Sequence, residues 1–544
     1  MNIFPVLLII LDGYGISPPS PGNAIYLANP PNMNSYFYSY PNTLLKASGQ
    51  SVGLPSGEVG NTEVGHLNIG AGRIVYQDLP RINLSIADGS FYSNQAFSHA
   101  IEHIKKTGGG LHLIGLISDG NVHSSVEHLF ALIFFAHENH VEKLYIHAIT
   151  DGRDSPPKSA NNTIKRLEEK LTENSGRIVS LMGRYYGLDR DRRWERTEKA
   201  YQCLTKGAGQ TANSAVAAIE QAYVQGKTDE FIEPTNILVE GQKTLIKDGD
   251  AVIFFNYRID RPRQLTKAFV LNDFENEANK TTSFDPYAVK YYKSHIVKEE
   301  ILAPPFKREE KLSNLLFITM TEYENNLEVE VAFPPITVQM PLGRVLSEHG
   351  IAQLRMSESE KERFVGFYFN GQREMPFPEE DRLIVPSPKV PTYDMKPEMA
   401  AYELTNLLVG KMREKKYGFI LLNFANPDMV GHTGNIQSTI ASIKILDSCI
   451  GKIVEESRTL GYHLIITADH GNAEQKINPE TGDISTEHTT NPVPFIYVNS
   501  KFTGQFIKLQ SGILADIAPT ILGLLQIVKP DQMSGRNLLD SLQI

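Results

Sequence analysis

Short, uninterrupted apolar runs recur along the chain, separated by stretches with helical periodicity. Val6–Leu11, Phe419–Phe424 and residues 463–468 lie toward its two ends, and Leu111–Ile117 with residues 144–149, 178–182 and 251–255 lie in its middle. Consecutive apolar positions over so few residues mark strands buried on both faces, the habit of parallel sheets covered by helices. The alternation predicts an α/β protein made of two α/β domains with largely parallel sheets.

The residues that close these runs divide the chain. Asp12 ends the first, Asp428 and His432 follow residues 419–424, and Asp469 with His470 ends residues 463–468. The middle runs end differently, in Ser118, Asp119 and His123, in Asp151, Arg153 and Asp154, in Arg184 and Arg190, and in Arg258 and Arg261. This contrast predicts a discontinuous metal-binding domain, residues 1–77 and 311–544, interrupted by an inserted anion-binding domain, residues 78–310. Residues 272–302 are polar, mixed in charge and weakly periodic, so a surface excursion is expected near the second crossing.

Length and charge narrow the function. A chain of 544 residues exceeds one ordinary core, and 41% hydrophobic residues are enough to fill two. The formal net charge is −10, with no block of basic residues, so no nucleic acid or anionic membrane partner is expected. A small molecule is. The apolar N-terminal run lacks a basic flank and a small-residue cleavage site and reads as a strand, and no apolar segment reaches membrane-spanning length. Cys203 and Cys449 form no disulfide framework or metal spacing, which fits a reducing cytoplasm.

Asp12, Thr62, Asp428, His432, Asp469, His470 and His488 together read as a two-metal site around a hydroxyl nucleophile. Carboxyl ends of parallel strands gather at one sheet edge, and this donor mixture is too large for one tetrahedral ion. Each residue also has a plainer reading. Asp12-Gly13 fits a turn, and Pro427 and Gly431 make a loop or first helical turn the expected setting for Asp428 and His432. His488 equally fits a hydrogen-bonded histidine, and Thr62 a helix cap. The glycines of residues 53–73, however, let backbone approach an anion, and a threonine hydroxyl attacks phosphorus only when its pKa is lowered, as a metal does. Arg153, Arg184, Arg190, Arg258 and Arg261 supply guanidinium forks for a substrate carrying carboxylate and phosphate, with His123 and Asp154 as an acid or base beside them.

Long segments of the chain, among them LLIILDGYG, GNTEVGHLNIGAGRIVYQ, DGRDSPPKS, RIDRPRQL, NPDMVGHTGN, TADHGNAE and EHTTNPVP, resemble the 2,3-bisphosphoglycerate-independent phosphoglycerate mutases of the alkaline phosphatase superfamily. The resemblance runs nearly end to end. It implies interconversion of 3-phosphoglycerate and 2-phosphoglycerate in glycolysis and gluconeogenesis, by a cytoplasmic monomer that needs two divalent metal ions and no bisphosphoglycerate. Manganese is the expected ion, with magnesium, cobalt and zinc as alternatives. It further implies Asp428, His432 and His488 on one metal and Asp12, Thr62, Asp469 and His470 on the other. His123, Arg153, Asp154, Arg184, Arg190, Arg258, Arg261 and Lys361 are then the substrate ligands. Lys361, within SESEKERF, otherwise reads as a charged surface lysine. Thr62 stands where the family usually carries serine, and Ser125 where a second histidine is common. A metal phosphatase or phosphosugar mutase of the same superfamily is the alternative enzyme, and a catalytically silent phosphoglycerate sensor the alternative outside enzymes.

Overall fold

Three of the longest apolar runs lie side by side. In a computed structural model describing residues 4–174, 176–280 and 303–542, β1 (Val6–Leu11) is flanked in parallel by Phe419–Phe424 and His463–Thr467, with Val6 opposite both Phe419 and His463. Every residue of these three strands is buried, as continuous apolar sequence demands.

Two eight-stranded sheets result. In chain order the strands after β1 are β2 (Asn42–Lys46), β3 (Leu111–Ile117), β4 (Leu144–Thr150), β5 (Arg177–Gly183), β6 (Gln210–Ala212), β7 (Thr235–Ile237) and β8 (Ala251–Phe254). They continue with β9 (Leu316–Thr321), β10 (Glu330–Phe333), β11 (Gln353–Glu358), β12 (Glu380–Val385), β13 (Phe419–Phe424), β14 (His463–Thr467), β15 (Val493–Val498) and β16 (Gly512–Ile513). The first sheet runs β12-β11-β13-β1-β14-β15-β2-β16 and the second β10-β9-β8-β3-β4-β5-β7-β6. In the first, β15 runs antiparallel to both neighbours, and in the second β7 runs antiparallel to β5. The other pairings are parallel.

One compact unit comprises Met1–Gln77 with Ile336–Ile544, and the other Asp78–Pro335. The second crossing therefore falls later than residues 310–311. The reason is strand pairing: β9 extends the second sheet from β8, β10 extends it from β9, and Phe317, Ile318 and Met320 are buried in that unit's cores. The described part of the expected surface excursion over residues 272–302 is largely exposed and is anchored by Phe274, buried against Trp194 and Phe306, and by Ala278 in the same core. Residues 281–302 lie outside the described residues. Among the described residues no helix is long and apolar enough to cross a membrane.

Candidate metal centre and cationic cluster

In the first unit the parallel order β11-β13-β1-β14 brings four strand ends to one edge. Asp12 follows β1, Asp469 and His470 follow β14, Lys361 follows β11, and Asn426–Gly431 forms a short helix after β13. Pro427 opens that helix where its missing N–H costs nothing, so Asp428 and His432 come to share a face, 3.1 Å apart. Helix Thr62–Ala71 completes the edge. Its N-cap is Asn61, whose side chain accepts from the Val64 N–H, so Thr62 is released from the capping role.

The Thr62 hydroxyl lies 3.3 Å from Asp12 Oδ1, 3.0 Å from His470 Nε2 and 3.1 Å from Lys361 Nζ. Lys361 also donates to Asp12 at 2.8 Å and to Asp428 at 2.7 Å. Only 2% exposed, it is far from the surface lysine its charged neighbours suggest. Burial opposes its charge, but Asp12, Asp428 and Asp469 hold its pKa well above the ordinary lysine value. Burial likewise works against His470, and Asp469, Asp12 and Asp428 nevertheless raise it to about 10. The three aspartates give this edge an excess of negative charge.

The histidines are oriented as metal ligands are. His432 Nδ1 lies 2.7 Å from the Thr486 carbonyl, His488 Nδ1 2.9 Å from that of Gly60 and His470 Nδ1 3.2 Å from that of Gly471. A carbonyl only accepts, so each Nδ1 carries a proton and each Nε2 turns inward. The Nε2 atoms of His432 and His488 then face each other at 3.0 Å, with Asp428 Oδ1 at 3.1 and 3.2 Å. Two neutral imidazole lone pairs at that separation repel unless a cation lies between them. Asp469 Oδ2 is buried, and the nitrogen beside it, His66 Nδ1 at 3.2 Å, directs its proton to the Thr62 carbonyl at 3.0 Å, so this oxygen makes a second such demand. The donors fit divalent ions, grouped as Asp428, His432 and His488, as Asp12, Asp428 and His470, and as Asp12, His66 and Asp469.

His66 escaped the sequence reading, although it lies one helical turn beyond Thr62. Its Nδ1 is 3.2 Å from Asp469 Oδ2, and its Nε2 is 3.0 Å from Asn423 Nδ2, which donates to Asp12 Oδ2 at 2.8 Å. Asn423 is the one polar residue in the run FILLNF, a signal available in sequence. Gly65 is explained by the same packing: a Cβ there would lie 2.7 Å from Asp469 Cβ.

The second unit gathers cations at the ends of the adjacent parallel strands β8, β3, β4 and β5. Arg184, 2% exposed, donates to Asp151 and Asp154, each at 2.5 Å. Asp260 binds Arg190 at 2.6 Å and Arg258 at 3.1 Å, and lies 3.6 Å from His123 Nδ1, while His123 Nε2 is 3.5 Å from Asp154. Arg261 donates to the Leu188 carbonyl at 3.1 Å. Burial together with Arg184 and Arg190 pulls its pKa down to about 10, and burial lowers His123 to about 4. Burial would raise Asp151, but bonds from Ser118 and Arg184 hold it below the ordinary carboxylate value. Arg153 stands apart, 57% exposed and 3.7 Å from Glu230. Ser125 precedes helix Val126–Glu138 and makes no side-chain cap bond. Asp151 and Asp260, which brace the arginines from below, were missed as site residues although both sit inside motifs read for their neighbours. Lys361 lies in the first unit, paired there with Asp12.

Comparison with known proteins matches residues 82–325 to the family model described as BPG-independent PGAM N-terminus, and residues 394–485 to Type I phosphodiesterase / nucleotide pyrophosphatase. The chain is 48% identical over 542 residues to a 2,3-bisphosphoglycerate-independent phosphoglycerate mutase of Clostridium beijerinckii, covering 99% of each chain. It is 46% identical over 537 residues to the protein of that name in Moorella thermoacetica, covering 98% of each. A crystal structure of Leishmania mexicana phosphoglycerate mutase at low cobalt concentration aligns over 99% of this chain and 98% of that one, at 27% identity and a TM-score of 0.55.

Proposed function

The chain belongs to the family of 2,3-bisphosphoglycerate-independent phosphoglycerate mutases, and on that premise we propose that it interconverts 3-phosphoglycerate and 2-phosphoglycerate through a phosphothreonine at Thr62. The observation that carries this reading is the setting of one hydroxyl. Thr62 is 4% exposed and surrounded by Asp12, His470 and Lys361 in a cluster whose donors fit divalent metals.

The proposed metal ligands are Asp428, His432 and His488 for one ion and Asp12, Thr62, Asp469 and His470 for the other, with manganese as the native ion. Bound there, the ions lower the pKa of a ligated hydroxyl and neutralise charge on a phosphoryl group. The chain's residues do the rest. Thr62 Oγ1 attacks the phosphorus of the incoming ester and takes the phosphoryl group, leaving glycerate. The ammonium of Lys361 offsets charge on the transferring group. His123, Arg153, Arg184, Arg190, Arg258 and Arg261 retain the glycerate, and Asp154 carries the proton between its two hydroxyls. The second hydroxyl then attacks the phosphothreonine and restores Thr62. Water must be kept from that ester, since hydrolysis would convert the mutase into a phosphatase. We propose that the enzyme acts as a cytoplasmic monomer without nucleic acid or membrane partners.

A coupled enolase assay on metal-stripped protein, reconstituted with manganese and without bisphosphoglycerate, tests the reading. Turnover should depend on the ion, Thr62→Ala should eliminate it, and Thr62→Ser should retain it, because serine keeps the oxygen and loses only the methyl that stiffens χ1. Interconversion by the alanine variant would refute the covalent route.

A further inference from the structure

Beneath the metal-ligand segments lies a second carboxylate that the proposed chemistry does not use. Glu474 is 1% exposed, and both its oxygens are occupied by donors, one local, two from the loop after His488 and one from the far N-terminal segment. Oε2 accepts the N–H of Gly15 at 3.1 Å and that of Asn472 at 2.8 Å. Oε1 accepts the Thr489 hydroxyl and the Asn491 amide, the latter at 2.9 Å. Gly15 lies just past Asp12, Asn472 just past His470, and Thr489 directly after His488. One side chain thus ties three segments that each carry proposed ligands. Its approach is so close that a Cβ at Gly15 would overlap the carboxyl group.

A neighbouring cation adds the fourth segment. Lys476, also 1% exposed, donates to the Gly431 carbonyl at 3.0 Å and to Asn472 Oδ1, while Asn472 Nδ2 donates to Asp428 Oδ1 at 3.0 Å. Gly431 directly precedes His432. The contacts run from Glu474 and Lys476 through Asn472 to Asp428, and through backbone to the segments of Asp12, His432 and His488.

We infer that Glu474, joined to Lys476 through Asn472, is a positioning residue that sets the separation of the metal-ligand segments and so the affinity for divalent ions. This rests on the two-metal reading above. A carboxylate suits the task because it accepts four charge-assisted hydrogen bonds at once, and outer partners of metal ligands commonly govern affinity by about 10–100-fold.

The test is a manganese titration of metal-stripped full-length protein, followed by the electron paramagnetic resonance signal of the free ion. Glu474→Gln places an amide N–H against at least one existing donor, and should raise the manganese concentration for half-occupancy by about 10-fold. At saturating manganese its KM for phosphoglycerate should stay within about twofold of wild type, a split that general loss of structure would not produce. Should Glu474→Gln fail to fold, Thr489→Val and Asn491→Ala each delete a single donor and should each weaken manganese binding by about threefold. Manganese binding within twofold of wild type in a folded Glu474→Gln protein, or in both single-donor variants, overturns the inference. A wild-type protein that takes up no manganese yet turns over phosphoglycerate would overturn the two-metal reading as well, whereas normal wild-type binding with an unchanged variant would sink only the role of Glu474.

Discussion

The two units solve opposite electrostatic problems with the same architecture. Each places functional side chains at the carboxyl ends of parallel strands, but the first gathers Asp12, Asp428 and Asp469 around one lysine, and the second gathers Arg184, Arg190 and Arg258 over Asp151, Asp154 and Asp260, with Arg261 close by. Strand ends are indifferent to sign, so the fold alone does not select the ligand. The side chains do. Surplus carboxylate suits divalent cations, and surplus guanidinium suits a multiply charged anion.

The largest expected effect comes from breaking the anionic side. Asp428 lies within 3.2 Å of Lys361, His432 and His488, and Asp428→Ala should reduce turnover by about 10³-fold or more, because it removes a group shared by the whole cluster. Retention of near wild-type rate in the enolase-coupled assay would remove Asp428 from the ligand set.

Breaking the cationic side should show first as lost stability. Arg184 is the buried partner of Asp151, so Arg184→Ala leaves a carboxylate unpaired in the interior and should cost about 3–5 kcal/mol in urea unfolding. A change below about 1 kcal/mol would mean that Ser118 and the backbone N–H groups of Arg153 and Asp154 satisfy Asp151 alone.

Acid should separate the units without any mutation. In the second unit, burial lowers the pKa of His123 and of His128 to about 4, and holds His147 well below its ordinary value. These groups bind protons more readily when unfolded, so their contribution to stability is complete above pH 6.5 and is lost as the pH falls toward 4, by about 2–3 kcal/mol for each of His123 and His128. In the metal-free first unit the sign reverses for His470: raised to about 10, it contributes stability below pH 6.5 that is lost only as the pH rises through 10. Asp12 and Asp428, held low by Lys361 against the effect of burial, keep their contribution until the pH falls below the ordinary carboxylate range. Burial also lowers His463 and His488 in the first unit, but there the raised His470 opposes them, so hydrogen exchange read peptide by peptide at pH 7 and pH 4.5 should show protection falling first in residues 78–335. Equal loss in both units would refute the comparison.

What sequence disclosed and concealed follows the same physics. Strands buried on both faces announce themselves as apolar runs, which made β1, β3, β13 and β14 legible; β10, with its partly exposed start, did not announce itself, and nothing local in β9 tells that it pairs with β8, so the second crossing was misplaced. Residues at strand ends stood out because a charge after an apolar run is conspicuous. Lys361 did not, since its flanking glutamates and arginine read as a solvated surface and its burial comes from the placement of β11 beside β12 and β13. His66 and Glu474 were concealed for a related reason, since their work lies in contacts across the chain that no local pattern encodes, whereas Asn423 did carry a local signal as the lone polar residue of FILLNF.

The smallest expected effect concerns the arginine that stands apart. Arg153 and Glu230 are 3.7 Å apart with side chains 57% and 21% exposed, and a partly solvated pair of this kind contributes at most about 1 kcal/mol. Glu230→Gln should accordingly leave stability within that margin. If Arg153 binds substrate, the Glu230 carboxylate competes with phosphoglycerate for the same guanidinium, so the variant should bind phosphoglycerate equally well or up to about threefold more tightly, and more so at low salt where the competing charge is least screened. Calorimetric titration at two ionic strengths measures both trends. A tenfold weakening instead would show that Glu230 places Arg153 for binding, and would move this pair from the solvated rim of the cationic cluster into its supporting framework.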